Sequence, residues 1–305
     1  MKRFASILGV ILLGSQLLRA GYLDDIGFTA LELELAALSI SMPTGTGVSV
    51  SQIEADGDGV PGSPFAYMPD TTLPQFAADS ITNVTGSFST VSPHASTVGG
   101  LIYGSNSIAS GVNTVGVYEA NSWLGTGFLR PGILQAPLVE SRDIQNHSWV
   151  GTLGTATADV IRLNRLDYAI ERDDFVAVVG VNNGIGQERN LLASAYNVIS
   201  VGVSSGNHSF GNTTVNGVGR ALPHLVVPVG TTSDATAVVS SASTLLIETA
   251  RAMSSANAEK SETIKAVLLA GTTRTGLSGW SNSSSVPLMI FMVRVSSTFR
   301  AVITS

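Results

Sequence analysis

Apolar and polar residues alternate along this chain of 305 residues with two different periods. Gly47 to Glu54, G-V-S-V-S-Q-I-E, switches between apolar and polar at every step, the period of a strand. Thr157 to Arg172 instead places Val160, Ile161, Leu163, Leu166 and Ile170 at roughly helical spacing. Phe175 to Val181 and Asn197 to Val203 are continuous apolar runs rich in β-branched residues, as expected of parallel strands covered on both faces. Leu225 to Val227 is a shorter run of the same kind. Four more stretches read as helices: the amphipathic run Phe28 to Ile40, a small-residue helix within Ser92 to Gly104, a long buried helix from Ser233 to about Ala256, and Ala258 to Ala270, stopped by Gly271. Gly116 to Ala120 and Ile144 to Trp149 are further turn and strand candidates, and residues 59 to 90 read as loop. Strands alternating with helices predict an α/β fold with a mostly parallel sheet and helices on both faces. No internal repeat and no linker divides the chain.

Composition narrows the class. With 44% hydrophobic and 12% charged residues, the chain can bury one large core or two small ones. The 32 glycines point to close packing and many tight turns. A net charge of -6 gives no reason to expect nucleic acid as a partner. The absence of cysteine excludes disulfides and thiolate metal sites. Met1 to Ala20 has the parts of a secretory signal: Lys2 and Arg3, an apolar core from Ile7 to Leu13, and Leu18-Arg19-Ala20 before Gly21. The expectation is therefore an exported, secreted or periplasmic protein. No later stretch is long and apolar enough for a membrane helix. Asn83, Asn146, Asn207, Asn212 and Asn282 stand in Asn-x-Ser/Thr sites.

Three polar positions are candidates for chemistry. Ser233 follows the flexible run G-T-T and opens a helix, where unsatisfied N–H groups and the positive dipole end favour developing negative charge. A hydroxyl there is either a nucleophile, given a base, or a helix cap. His94 opens the helix of S-P-H-A-S-T-V-G-G. Glu54 closes the first strand and heads an acidic cluster with Asp56 and Asp58, at the strand end where open α/β sheets place their sites. The D-G-D-G run lacks the ligand spacing of an EF-hand loop. Val178 to Gly186, V-V-G-V-N-N-G-I-G, imitates a dinucleotide loop, but it lies past the middle of the chain and Tyr196 has no lysine four residues on.

Taken together, the pieces resemble the subtilisin-like serine proteases. G-T-T-S-D-A-T-A-V is similar to that family's G-T-S-M-A-T-P-H-V, P-H-A-S-T-V-G-G to S-H-G-T-H-V-A-G, and V-S-Q-I-E to V-A-V-I-D. I-Q-N-H-S-W looks like the V-I-N-M-S-L strand that pairs with substrate, V-V-G-V-N-N-G like A-A-A-G-N-x-G, and N-V-I-S-V-G-V and P-H-L-V-V-P-V-G like the two pieces that follow. The order acid, histidine, serine is also the family's. The resemblance implies a three-layer α/β/α peptidase domain over residues 47–288, preceded by a short segment, residues 21–46. It implies Glu54 as triad acid, with Asp56 as the alternative, His94 as base and Ser233 as nucleophile. Asn183 would be the oxyanion-hole amide, and Ser148 and Trp149 would bind substrate. The implied activity is endopeptidase action on a peptide or protein through an acyl-enzyme, with no cofactor needed for the chemistry; structural calcium is common in the family.

The chain also departs from the pattern. Glu54 replaces aspartate, Ala95 and Thr97 replace a Gly and a His around the base, and Asp234 and Ala237 replace Met and Pro beside the serine. Pro228 to Ser233 is short for the family, and residues 21–46 are too few for its propeptide. These changes keep a second expectation open: a pseudoprotease using the fold as a binding or structural module. Met289 to Ser305 changes character abruptly, and a one-base shift of reading frame permits a Tyr-Gly-x-Gly-x-x-Asn motif like the family's closing one, so this tail is expected to be a frameshift product.

Overall fold

The computed structural model describes residues 21–56, 65–132, 134–186, 191–211, 222–253, 255, 257–273 and 292–293. The signal-like residues 1–20, the glycosylation sites at Asn212 and Asn282, Asp58 and nearly all of the tail 289–305 lie outside them.

A nine-stranded sheet organises the chain, and seven of its strands form an unbroken parallel array. Along the chain these are β1 (Ser49–Glu54), β3 (Ser80–Asn83), β5 (Thr114–Glu119), β6 (Ile144–His147), β7 (Val176–Gly180), β8 (Ile199–Val203) and β9 (Leu225–Val227). Two short strands, β2 (Ala66–Met68) and β4 (Thr90–Val91), pair separately. β10 (Thr272–Thr273) and β11 (Met292–Val293) extend the edge beside β9, so the array runs β10-β11-β9-β8-β7-β6-β1-β5-β3. The helices are α1 (Phe28–Ala37), α2 (Pro93–Ile102), α3 (Ala120–Leu124), α4 (Ala156–Asp173), α5 (Thr232–Ala252) and α6 (Ser261–Ala270).

The apolar runs explain the layering. In β7, Val176 and Val178 belong to one core and Ala177 and Val179 to the other, as the alternation of side chains across a strand requires. The first core joins Val50, Val115 and Val201 to α2, α5 and α6. The second joins Ile53, Tyr118 and Val179 to α3 and α4. The result is a three-layer α/β/α arrangement with helices packed on both faces of the sheet.

α5 runs through the first core although it is rich in serine and threonine. Its buried hydroxyls turn back onto the helix: Thr236 Oγ1 donates to the Thr232 carbonyl at 2.7 Å and Ser243 Oγ to that of Val239 at 2.8 Å. These two hydroxyls are thereby satisfied without a distant partner. Gly180, at the end of β7, lets α5 come close; a Cβ there would fall 2.8 Å from Thr236 Oγ1.

Four expectations need correction. Residues 59–90 are not simply loop, since residues 65–90 include β2, a turn of 3₁₀ helix at Pro74–Phe76, the edge strand β3 and the start of β4. Ser233 does not cap α5: the helix starts one residue earlier, capped by Thr231, whose side chain accepts from the Asp234 N–H at 3.1 Å. The helix also ends at Ala252 rather than near Ala256, and the last long helix starts at Ser261 rather than Ala258.

Candidate active site

The carboxyl ends of β1, β6 and β7 open onto one edge of the sheet, and α5 begins there. In doubly wound sheets this is where ligands bind. Glu54 is the last residue of β1 and is fully buried. His94 occupies the first turn of α2, which Ser92 caps by accepting from the Ala95 N–H at 2.9 Å and Pro93 starts. His94 Nδ1 lies 2.8 Å from Glu54 Oε2. The carboxylate that reaches the imidazole is thus that of Glu54 rather than Asp56. The other oxygen, Glu54 Oε1, accepts from Gln52 Nε2 at 2.7 Å. The imidazole is about one-third exposed and its carboxylate partner is not, so the pair meets at the boundary between core and surface.

Ser233 is the second residue of α5, a helix that packs against α2. Its hydroxyl donates to the Ser148 carbonyl at 3.1 Å, and the Ser148 hydroxyl returns a bond to the Ser233 carbonyl at 3.2 Å. Ser148 Oγ also lies 2.9 Å from Asn146 Oδ1, while Asn146 Nδ2 donates to Ser240 Oγ at 2.9 Å, so the end of β6 is stitched to α5. In the first turn of α5 the Thr232 N–H donates to Asn183 Oδ1 at 3.0 Å and the Asp234 N–H to Thr231 Oγ1. The Ser233 N–H lies between these two, at the positive end of the helix.

Asn183 follows β7 in a segment held by residues 207–209. Ser209 N–H donates to the Asn182 carbonyl at 2.9 Å and Gly184 N–H to the Asn207 carbonyl at 3.1 Å. Thr232 engages the Asn183 amide oxygen through both its N–H and its hydroxyl, at 3.0 and 3.1 Å. The amide nitrogen is therefore the end turned away from Thr232, able to donate. Asn183, Ser233, Ser148 and Trp149 line one small cavity of about 90 Å³, together with Gly180 and Val181. Asp234 is half-buried and outside that lining.

Some of the site's support was not visible in the sequence. Gln52 stands only within the acid's stretch and Tyr103 in no motif; their contact needs the folded sheet. His147, one residue before Ser148, is fully buried between Trp123 and Trp149, with ring centroids 4.7 and 5.9 Å away. Burial pushes its pKa from 6.5 down to about 3, so it is a neutral ring. Its Nε2 lies 3.2 Å from Gln145 Oε1, and Nδ1 finds no partner. Among the described residues no group of three His, Asp or Glu side chains is arranged to hold a metal ion. No helix among them is long and apolar enough to cross a membrane.

No family model matches the sequence, and no curated protein matches it. Solved structures do match the fold. A cold-adapted subtilisin-like serine proteinase superposes with a TM-score of 0.56 at 16% identity, over 82% of this chain and 89% of that one. The self-cleaved protease domain of PatA gives 0.58 at 16% identity, over 87% and 99%. The prenylagaramide maturation protease PagA gives 0.56 at 16% identity, over 84% and 93%. At such identities the likeness establishes a shared subtilisin-like α/β/α fold.

Proposed function

We propose that this chain, built on the subtilisin-like fold, is an exported serine endopeptidase acting on peptide or protein substrates. One observation carries the reading: the Glu54 carboxylate lies on His94 Nδ1 at 2.8 Å, at the same sheet edge where Ser233 and Asn183 share a cavity. A carboxylate on Nδ1 fixes the imidazole tautomer, leaves Nε2 as the base and stabilises the imidazolium formed when it takes a proton.

In this mechanism the Ser233 hydroxyl leaves the Ser148 carbonyl, gives its proton to His94 Nε2 and attacks the scissile carbonyl carbon. The carbonyl oxygen becomes an oxyanion, held by Asn183 Nδ2 and the Ser233 N–H at the α5 terminus. His94 passes the proton to the departing amine as the C–N bond breaks, leaving an ester on Ser233. Water repeats the sequence: His94 takes its proton, the hydroxide attacks the ester, and the serine oxygen recovers the proton as the acid leaves.

The reading is tested by hydrolysis of denatured protein or a mixed peptide library by residues 21–305. New amino termini that appear with the chain and not with Ser233→Ala or His94→Ala support it. Equal cleavage by all three would sink it, and no cleavage by a folded chain would favour the pseudoprotease.

A further inference from the structure

The carboxylate of Glu54 has a second neighbour besides His94, and that neighbour is locked in turn. Gln52 sits two residues earlier on β1, hence on the same face of the strand, and is fully buried. Its Nε2 donates to Glu54 Oε1 at 2.7 Å and to the carbonyl of Ala95, the residue after His94, at 2.9 Å. Its Oε1 accepts from the Tyr103 hydroxyl at 2.5 Å. Burial first, then the charges of Glu54 and Asp79, hold the Tyr103 phenol well above its usual pKa, so it stays protonated and able to donate. The Ala95 carbonyl can only accept, so the amide nitrogen faces it and the carboxylate, and the amide oxygen is left to the phenol O–H. Gly99 completes the arrangement, since a Cβ there would collide with the Tyr103 hydroxyl and come within 3.2 Å of Gln52 Oε1.

We propose that Gln52 and Tyr103 are a positioning pair that aims the Glu54 carboxylate at His94, and that this pair is how the chain accommodates glutamate at the acid position. The proposal rests on the reading of Glu54 and His94 as acid and base. It explains two departures at once. Against V-A-V-I-D, the stretch V-S-Q-I-E changes both the acid and the residue two before it, and those two side chains touch. A longer acid has an extra torsion to fix; the amide holds one oxygen so that the other meets the imidazole. The Ala95 bond ties the same amide to the turn of α2 that carries His94, so strand and helix cannot drift apart independently.

The test is an NMR titration of the His94 ring protons in residues 21–305, assigned by their absence in His94→Gln. It needs no turnover, so it stands apart from the failure or success of the peptidase reading. In Gln52→Leu the carboxylate is free to turn from the ring, and the titration midpoint should fall by about half a pH unit or more as the imidazolium loses an opposite charge. Tyr103→Phe, which lets the amide flip but keeps the packing, should move it the same way by less. The other carboxylate whose field reaches Tyr103 is Asp79; Asp79→Asn should leave the midpoint in place. An unchanged or raised midpoint in both Gln52→Leu and Tyr103→Phe, with both variants folded, overturns the pair's role, as does an equal fall in Asp79→Asn.

Discussion

The Glu54 carboxylate and the His94 imidazole meet at 2.8 Å, although glutamate places its charge one methylene further from the strand than the family's aspartate. The extra reach is taken up inside the protein, where Glu54 is fully buried and held by Gln52. Glu54→Gln keeps the shape and removes the charge. If Glu54 stabilises the imidazolium, kcat should fall by about 10⁴, the size seen when a triad carboxylate becomes an amide. Glu54→Asp keeps the charge but withdraws it from both Gln52 and His94, so kcat should fall less, with KM nearly unchanged in each case. Steady-state kinetics on one peptide substrate decides this; equal activity in both variants would remove Glu54 from the relay.

Asn183 has two separable jobs, because its oxygen anchors Thr232 while its nitrogen is the proposed oxyanion donor. Asn183→Ala should lower kcat by about 10²–10³. It should also destabilise the fold by about 1–3 kcal/mol, since the nearly buried Thr232 N–H loses its acceptor. Asn183→Asp retains the acceptor and should recover most of the stability but none of the rate. Urea unfolding alongside kcat separates the two effects.

His147 should make the fold acid-sensitive. Its folded-state pKa is depressed to about 3 from 6.5, so between these values the unfolded chain binds the proton that the folded one refuses. Stability should therefore drop as pH falls below about 6.5, by at most about 1.4 kcal/mol per pH unit. His147→Met should flatten that slope in urea titrations at pH 5 and 7.

Asp79 works in the opposite sense. Desolvation raises its pKa from 3.8 to about 6, and one buried carboxylate oxygen has no partner. Its stabilising contribution is complete below pH 3.8 and is lost as pH rises through about 6. Asp79→Asn should then be more stable than the parent at pH 7, with the advantage shrinking towards pH 4. A melting-temperature series across that range checks the sign.

Of the five glycosylation sites, Asn146 is fully buried with its amide nitrogen on Ser240, whereas Asn207 is exposed. Produced in a glycosylating host, the folded chain should carry glycan at Asn207 and none at Asn146. Peptide mass spectrometry reads this directly.

The sequence made the layers legible because buried parallel strands are continuous apolar runs: Val176–Gly180 and Leu225–Val227 fall where periodicity places them. The edge strand Ser80–Asn83 was not legible, since S-I-T-N faces solvent on much of its surface and has no apolar run to announce it. The start of α5 was misplaced by a residue because three cap-forming residues, Thr231, Thr232 and Ser233, stand in a row. Glu54 ends β1, and His94 and Ser233 lie in the first turns of α2 and α5, so local pattern singles them out; Asn183, three residues past β7, was legible only through the resemblance of V-V-G-V-N-N-G to A-A-A-G-N-x-G. The pairing of Gln52 with Tyr103 was not legible: they are 51 positions apart, and only the seating of α2 on β1 makes them neighbours.

The most direct measurement is labelling of residues 21–305 with a fluorophosphonate, which bonds covalently to an activated serine, followed by mass mapping of the adduct. A single adduct on Ser233, lost in His94→Ala and in Ser233→Ala, is the result expected of a working Glu54–His94–Ser233 relay. A correctly folded chain that takes no label, or takes it at another serine, would contradict it.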